Sequence, residues 1–176
     1  MTAETSTEIR PDELVQTVVS VFQTMLGIAV VECEPAPPES GPQAVRRLTS
    51  GVYLSGDWEG AVLVECDSQL ACRLATRYVG MGDPGGSKSP CPCSEPMEGS
   101  GYECDMKDVV PDVLGELANM IGGNIKSVLN LGLNLSIPTV TEGDYVGQAA
   151  GYEVRQRFSF ECADGVFQVI VLRPVV

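Results

Sequence analysis

Histidine is absent from all 176 residues of the chain. That absence removes the commonest general base, the usual catalytic triads and every histidine-containing metal site. Any chemistry must run on carboxylates, amides, hydroxyls or thiols, or be supplied by a partner. Cations are scarce as well: 11 Lys and Arg stand against 24 Asp and Glu, a net charge of −13, and the basic residues are scattered. Nucleic-acid binding depends on clustered cations, so the balance argues against nucleic acid and suits a protein partner and high solubility. No uninterrupted apolar run approaches the roughly 18–20 residues that span a bilayer, so no membrane partner is expected. Met1 to Arg10 is polar and acidic, without the basic-then-apolar order of a signal peptide. A cytoplasmic location is the expectation.

What is present reads as one domain over residues 1–176, long enough for one sizeable core and too short for two. The 7 cysteines fall into two groups. Cys33, Cys66, Cys72 and Cys162 lie in apolar or strand-like contexts, where the simplest role is a small buried hydrophobe in a reducing compartment. Cys91, Cys93 and Cys104 belong to a glycine- and proline-rich stretch and offer three thiolates to zinc or a disulfide. The spacing matches no common zinc motif, and no metal is expected.

Pro11 to Gly27 has helical periodicity, with Asp12 and Glu13 in the first turn and Gly27 at the close. Ile28 to Cys33 is short and β-branched, a strand. Leu48 to Leu54 and Gly60 to Cys66 read as strands joined through Ser55 to Glu59 in a hairpin. Ser68 is a plausible N-cap for a helix through Leu70, Leu74 and Tyr78. About 83–102 is a Gly/Pro/Cys-containing insertion with almost no large apolar residues, expected to be flexible. A helix runs from about Asp108 to Leu129, with Pro111 in its first turn. Leu133 to Val140 follows as a strand, then Tyr152 to Cys162 and Val166 to Arg173 as a hairpin. The predicted fold is α+β, three helices packed on a largely antiparallel sheet of about six strands.

The helix from Asp108 carries the candidate site. At about 100° per residue, Val113, Leu114, Leu117, Ile121, Ile125 and Val128 form one apolar stripe. Asp112, Glu116 and Asn119, spaced i, i+4, i+7, stack over successive turns on the outer side. Gly123 continues that row, with Gly122 beside it, and each mid-helix glycine costs roughly 1 kcal/mol relative to alanine. A bare patch beside a carboxylate and a carboxamide permits close approach of a ligand or backbone. The plainer alternative is an ordinary amphipathic helix with glycines for helix packing. Asn124 is placed toward the buried flank as a structural hydrogen-bonder.

Asp112-x-x-x-Glu116-x-x-Asn119, followed by Met120-Ile121-Gly122-Gly123-Asn124 and a later proline, resembles the signature of the CheC/CheX/FliY phosphatases. Val21 to Gly27 resembles that family's first helix, and Leu54 to Val62 its hairpin. The first helix offers only Glu13-Leu14-Val15-Gln16, so one site is expected, as in CheX-like members. The spacing from Asn119 to Pro138 is a few residues shorter than is usual for the motif. The resemblance implies a phosphatase that hydrolyses the phosphoaspartate of a CheY-type response regulator. Asn119 would orient the attacking water and Glu116 would pair with the receiver's lysine. Asp112, Gly122 and Gly123 would form the docking surface. It implies no cofactor of the chain's own, with Mg²⁺ carried by the receiver domain, and a homodimer joined through sheet edges. A non-catalytic receiver-binding or assembly module on the same fold is the alternative.

Overall fold

The computed structural model describes residues 8–35, 46–80, 108–143 and 149–175. The expected insertion at 83–102, with Cys91 and Cys93, and Cys104 beyond it lie outside those residues. Helix α1 spans Pro11–Leu26, with Pro11 in the first turn beside Asp12 and Glu13. Gly27 closes it in the left-handed region, its N–H donating to the Gln23 carbonyl at 3.1 Å. Strands β1 (Val30–Cys33), β2 (Arg47–Gly56) and β3 (Gly60–Asp67) follow, then α2 (Ser68–Tyr78). The α2 cap is Asp67 and not Ser68, because the Asp67 carboxylate accepts from the Leu70 N–H at 2.7 Å.

Helix α3 spans Val109–Leu129 and ends at Asn130, which takes the left-handed conformation. Strands β4 (Leu133–Leu135), β5 (Thr139–Glu142), β6 (Tyr152–Cys162) and β7 (Gly165–Pro174) complete the described elements. The sheet therefore has seven strands against the expected six, because the run from Leu133 to Val140 is divided. Pro138 cannot donate to a ladder. Ser136 breaks the pairing too: its hydroxyl accepts from the Tyr53 N–H at 2.9 Å, where a strand carbonyl would otherwise sit.

The strand order is β1-β6-β7-β3-β2-β4, and every pairing is antiparallel. β4 and β5 lie end to end along the outer edge of β2, pairing with Leu54–Gly56 and Leu48–Gly51 respectively. The exposed Arg46–Glu142 pair, Nε to Oε1 at 2.7 Å, fastens the far end of β5, and the guanidinium holds the Glu142 carboxyl below its ordinary range.

The helices cover one face of the sheet. Val62 and Val64 of β3 point into the main core with Phe160, Phe167 and α3, while Ala61 and Leu63 point to the opposite face with Ile170 and Leu172. β3 is thus buried on both sides, which explains its continuous apolar run in place of alternation. Phe22 of α1 stacks on Phe167 at 4.4 Å between centroids, and Phe160 stacks on Phe167 at 5.4 Å. These rings tie the first helix to the β6–β7 hairpin. Cys66 is buried in this core as expected, and burial pushes its thiol pKa up. Cys72 departs from expectation, since it is disulfide-bonded and not a free thiol.

Candidate functional site

Helix α3 is the centre of the site because its two sides have different work. Its inner surface comprises Val113, Leu114, Leu117, Ile121 and Ile125, all buried, together with Gly115, Ala118 and Gly122. The three small residues, spaced i, i+3, i+7, bring the helix axis close to the sheet. A Cβ on Gly115 would lie 3.4 Å from the Pro138 ring, and one on Gly122 would lie 2.5 Å from Val52 Cγ2. Gly122 is therefore turned onto β2, away from the docking surface where the sequence placed it.

The outer surface carries the polar row. Asp112 is exposed, Glu116 and Asn119 are half-buried, and a Cβ on Gly123 would meet nothing within 4 Å. No other described residue holds the Asp112 or Glu116 carboxylate or the Asn119 carboxamide by a hydrogen bond or ion pair. Among the described residues these three polar side chains on one helix face have no internal partner, a placement suited to an external one. Asn124 departs from expectation in its placement. It is exposed, and its Nδ2 donates to the Met120 carbonyl at 2.8 Å along its own helix. Val128 departs too: burial on the apolar stripe ends at Ile125, and Val128 is exposed.

Beside this row a shallow depression of about 270 Å³ is lined by Asn119, Met120, Gly123, Asn124, Ser127 and Leu135. The Ser127 hydroxyl donates back to the Gly123 carbonyl at 3.0 Å, leaving that part of the helix surface without a protruding side chain. On the other flank, the loop after β4 lays Pro138 against Gly115 and leaves Ile137 86% exposed. The sequence reading missed Leu135, Ser127 and the Gly115–Pro138 contact. The signal for the last was present, since a third mid-helix glycine precedes Glu116 and a proline follows downstream. With Pro138 seated one turn from Asn119, a short connection between the two suffices.

With this geometry in hand, residues 93–159 match the family model described as "CheX: Chemotaxis phosphatase CheX". The matched segment contains α3 and its whole polar row, β4, β5 and most of β6. It is a CheX-family segment on a CheC/CheX/FliY fold. The fold extends over nearly the whole chain. A chemotaxis protein CheX from Desulfovibrio desulfuricans is 19% identical, with 91% of this chain and 95% of that one covered and a TM-score of 0.62. The CheX of Borrelia burgdorferi, crystallised as a CheX–CheY–BeF3–Mg complex, is 16% identical over 92% of this chain and 96% of that one, with a TM-score of 0.61. Thermotoga maritima FliY is 14% identical over 95% and 92%, with a TM-score of 0.55. No curated protein sequence matches the chain. Among the described residues, no helix is long and apolar enough to cross a membrane.

Proposed function

We propose that this CheX-like chain is a phosphatase that accelerates hydrolysis of the phosphoaspartate of a CheY-type response regulator. The observation that carries the reading is the row Asp112, Glu116 and Asn119 on the outer face of α3, without partners among the described residues and inside the segment that matches the chemotaxis-phosphatase model. In the reaction the water oxygen attacks phosphorus, the bond from phosphorus to the aspartyl oxygen breaks, and the receiver regains its carboxylate. Phosphoryl transfer of this kind needs positioning and charge compensation more than covalent help. The receiver brings the Mg²⁺ and the lysine that balance charge, so the chain needs no metal of its own and no histidine.

Asn119 suits the remaining task. A carboxamide both donates and accepts, so it can hold a water in line without depending on a pKa. Glu116 suits a different one, because a carboxylate would repel the phosphoryl group but attracts the receiver's lysine. Asp112 and the open surface at Gly123 complete the docking face. The direct test is the decay of phosphorylated candidate receivers with and without the chain. Acceleration by catalytic amounts supports the reading, and unchanged decay across candidates refutes it.

Glu116→Ala is expected to weaken the complex with an activated receiver about tenfold, the scale of one ion pair at an interface rim becoming partly desolvated. Calorimetric titration of wild type and variant checks this, and an unchanged affinity removes Glu116 from docking.

The homodimer also stands as a proposal. β1 covers only Ser159–Cys162 of β6, which leaves the outer edge of Tyr152–Phe158 without a strand partner among the described residues. A bulge at Val154–Gln156 and the exposed Arg155 and Arg157 blunt that edge. The short β1, with Val31 exposed, is the flatter surface for pairing with a second copy. Light scattering at micromolar concentration is expected to return twice the chain mass. A monomer, or a dimer that buries Asn119, overturns it.

A further inference from the structure

The outer edge of the sheet carries an extra residue beside the polar row. Leu135 pairs with Leu54 and Thr139 pairs with Gly51, so Ser136, Ile137 and Pro138 stand opposite only Val52 and Tyr53 of β2. Such a bulge leaves one residue without a place in the ladder and re-aims its side chain. Hydrogen bonding shows which residue that is. Ser136 takes the place opposite Tyr53: its N–H donates to the Tyr53 carbonyl at 2.9 Å, and its hydroxyl accepts from the Tyr53 N–H. Pro138 is turned inward, with its ring against the helix at Gly115. Ile137 is the residue left over, and it is 86% exposed.

The backbone on both sides of Ile137 is fixed. The Ser136 hydroxyl donates to the Ile137 carbonyl at 2.9 Å, which gives the bulge an internal bond. A residue before proline is held in extended backbone, and β-branching leaves it few side-chain rotamers. The position is equally definite. On one side Leu135 lines the depression with Asn119, and on the other Pro138 packs at Gly115, the residue before Glu116. Ile137 therefore stands along the flank of the turn from Glu116 to Asn119. Single apolar side chains on a surface are ordinary. This one differs in degree and in setting. Val31 and Val175, the next most exposed large apolar residues among those described, reach 59%, and neither belongs to the β4–β5 edge.

Backbone conformation alone does not call for isoleucine, since valine and threonine are β-branched as well and expose less apolar surface. A rigidly presented aliphatic group loses little entropy on docking, which is what an interface anchor needs. The row beside it lacks such a group. Asp112, Glu116 and Asn119 offer charge and hydrogen bonds, and rim charges act on encounter and specificity more than on the lifetime of a complex. We propose that Ile137 is the apolar anchor for the phosphorylated receiver, seated on an apolar patch beside the receiver's phosphoaspartate pocket. The inference rests on the phosphatase reading above and adds to it a contact from outside α3. In this division Ile137 sets how long the complex lasts, while Glu116 and Asn119 set its register and its chemistry.

The test compares Ile137→Val and Ile137→Thr in the full chain. Both keep β-branching before Pro138, and the two new side chains have nearly the same shape, so the difference between them isolates apolar contact. The probe is a beryllofluoride-activated CheY-type receiver. Ile137→Val is expected to weaken binding roughly fourfold, and Ile137→Thr roughly tenfold or more. The loss is expected in the dissociation rate, to persist at high salt, and to leave the dephosphorylation rate at saturation unchanged. Val175→Thr, exposed but away from that edge, is expected to bind as the wild type does. Wild-type affinity in Ile137→Thr overturns the inference. So does an equal loss in both variants, because shape and not apolar contact would then decide. A melting temperature several degrees lower in Ile137→Thr overturns it by showing that the chain itself covers the residue. Conversion of a dimer to a monomer overturns it by seating a second copy there. The two readings fail separately. A wild type that binds no activated receiver overturns both. One that binds without accelerating decay, with the same losses at Ile137, removes the catalysis and supports the anchor.

Discussion

Asn119→Ala is expected to lower the rate of receiver dephosphorylation by on the order of 10²-fold, the scale on which misplacing a reacting group acts, while leaving receiver binding nearly intact. The variant is interpretable because the fold asks little of this side chain. Asn119 is half-buried on the outer face of α3. No other described residue holds its carboxamide, so truncation strands no buried group. Alanine also has the higher helix propensity by up to about 0.7 kcal/mol, so stability should hold or rise slightly. A rate loss then reports the missing amide and not a damaged helix. The measurement is the single-turnover decay of a phosphorylated receiver, paired with titration against a beryllofluoride-activated one. Parallel loss of rate and binding would make Asn119 a docking residue. A wild-type chain that binds but never accelerates decay would favour the non-catalytic module.

The legible parts of the sequence were those where one local rule decides the outcome. Pro11, the acidic first turn and Gly27 bracket α1, and the structure places its ends at Pro11 and Leu26. The Asp112, Glu116 and Asn119 row follows from helical spacing alone. The errors arise where packing overrides pattern. A stripe built from large apolar residues is centred too near Val113 and Leu117, because it counts glycine and alanine as surface. Gly115, Ala118 and Gly122 are all buried, and including them rotates the buried arc so that Gly122 turns inward and Asn124 outward. The bulge at Ile137 was not legible for a related reason. Leu133 to Val140 reads as one strand, and the extra residue shows only against the register of β2. Periodicity carries no information about which strands become neighbours.

Gly122 and Gly123 are adjacent in sequence, and their substitutions are expected to act in opposite directions. At Gly122 a side chain meets Val52 Cγ2 at 2.5 Å with Leu135 close behind, at 3.5 Å. Val52 is fully buried and β-branched, so its one favoured rotamer leaves no easy retreat. Gly122→Val therefore overpacks the contact between α3 and β2. A cost near the upper end of the usual overpacking range, about 3 kcal/mol, exceeds the roughly 1 kcal/mol at most that helix propensity returns. In a chain of this size each kcal/mol moves the melting temperature by about 2–4 °C, so a fall of several degrees should be visible by calorimetry. At Gly123 nothing stands within 4 Å of the new Cβ. Gly123→Ala should then be stabilising by about 0.5–1 kcal/mol, through helix propensity and a less flexible unfolded chain. Their effects on function separate as well. Gly122→Val tilts the helix that carries Glu116 and Asn119, so rate and stability fall together. Gly123→Ala leaves the helix seated but puts a methyl group on the bare patch beside Asn119, so receiver binding should weaken in a protein that melts higher. A variant that melts higher and binds the receiver unchanged would remove Gly123 from the docking surface, leaving Asp112, Glu116 and Asn119 to carry the contact.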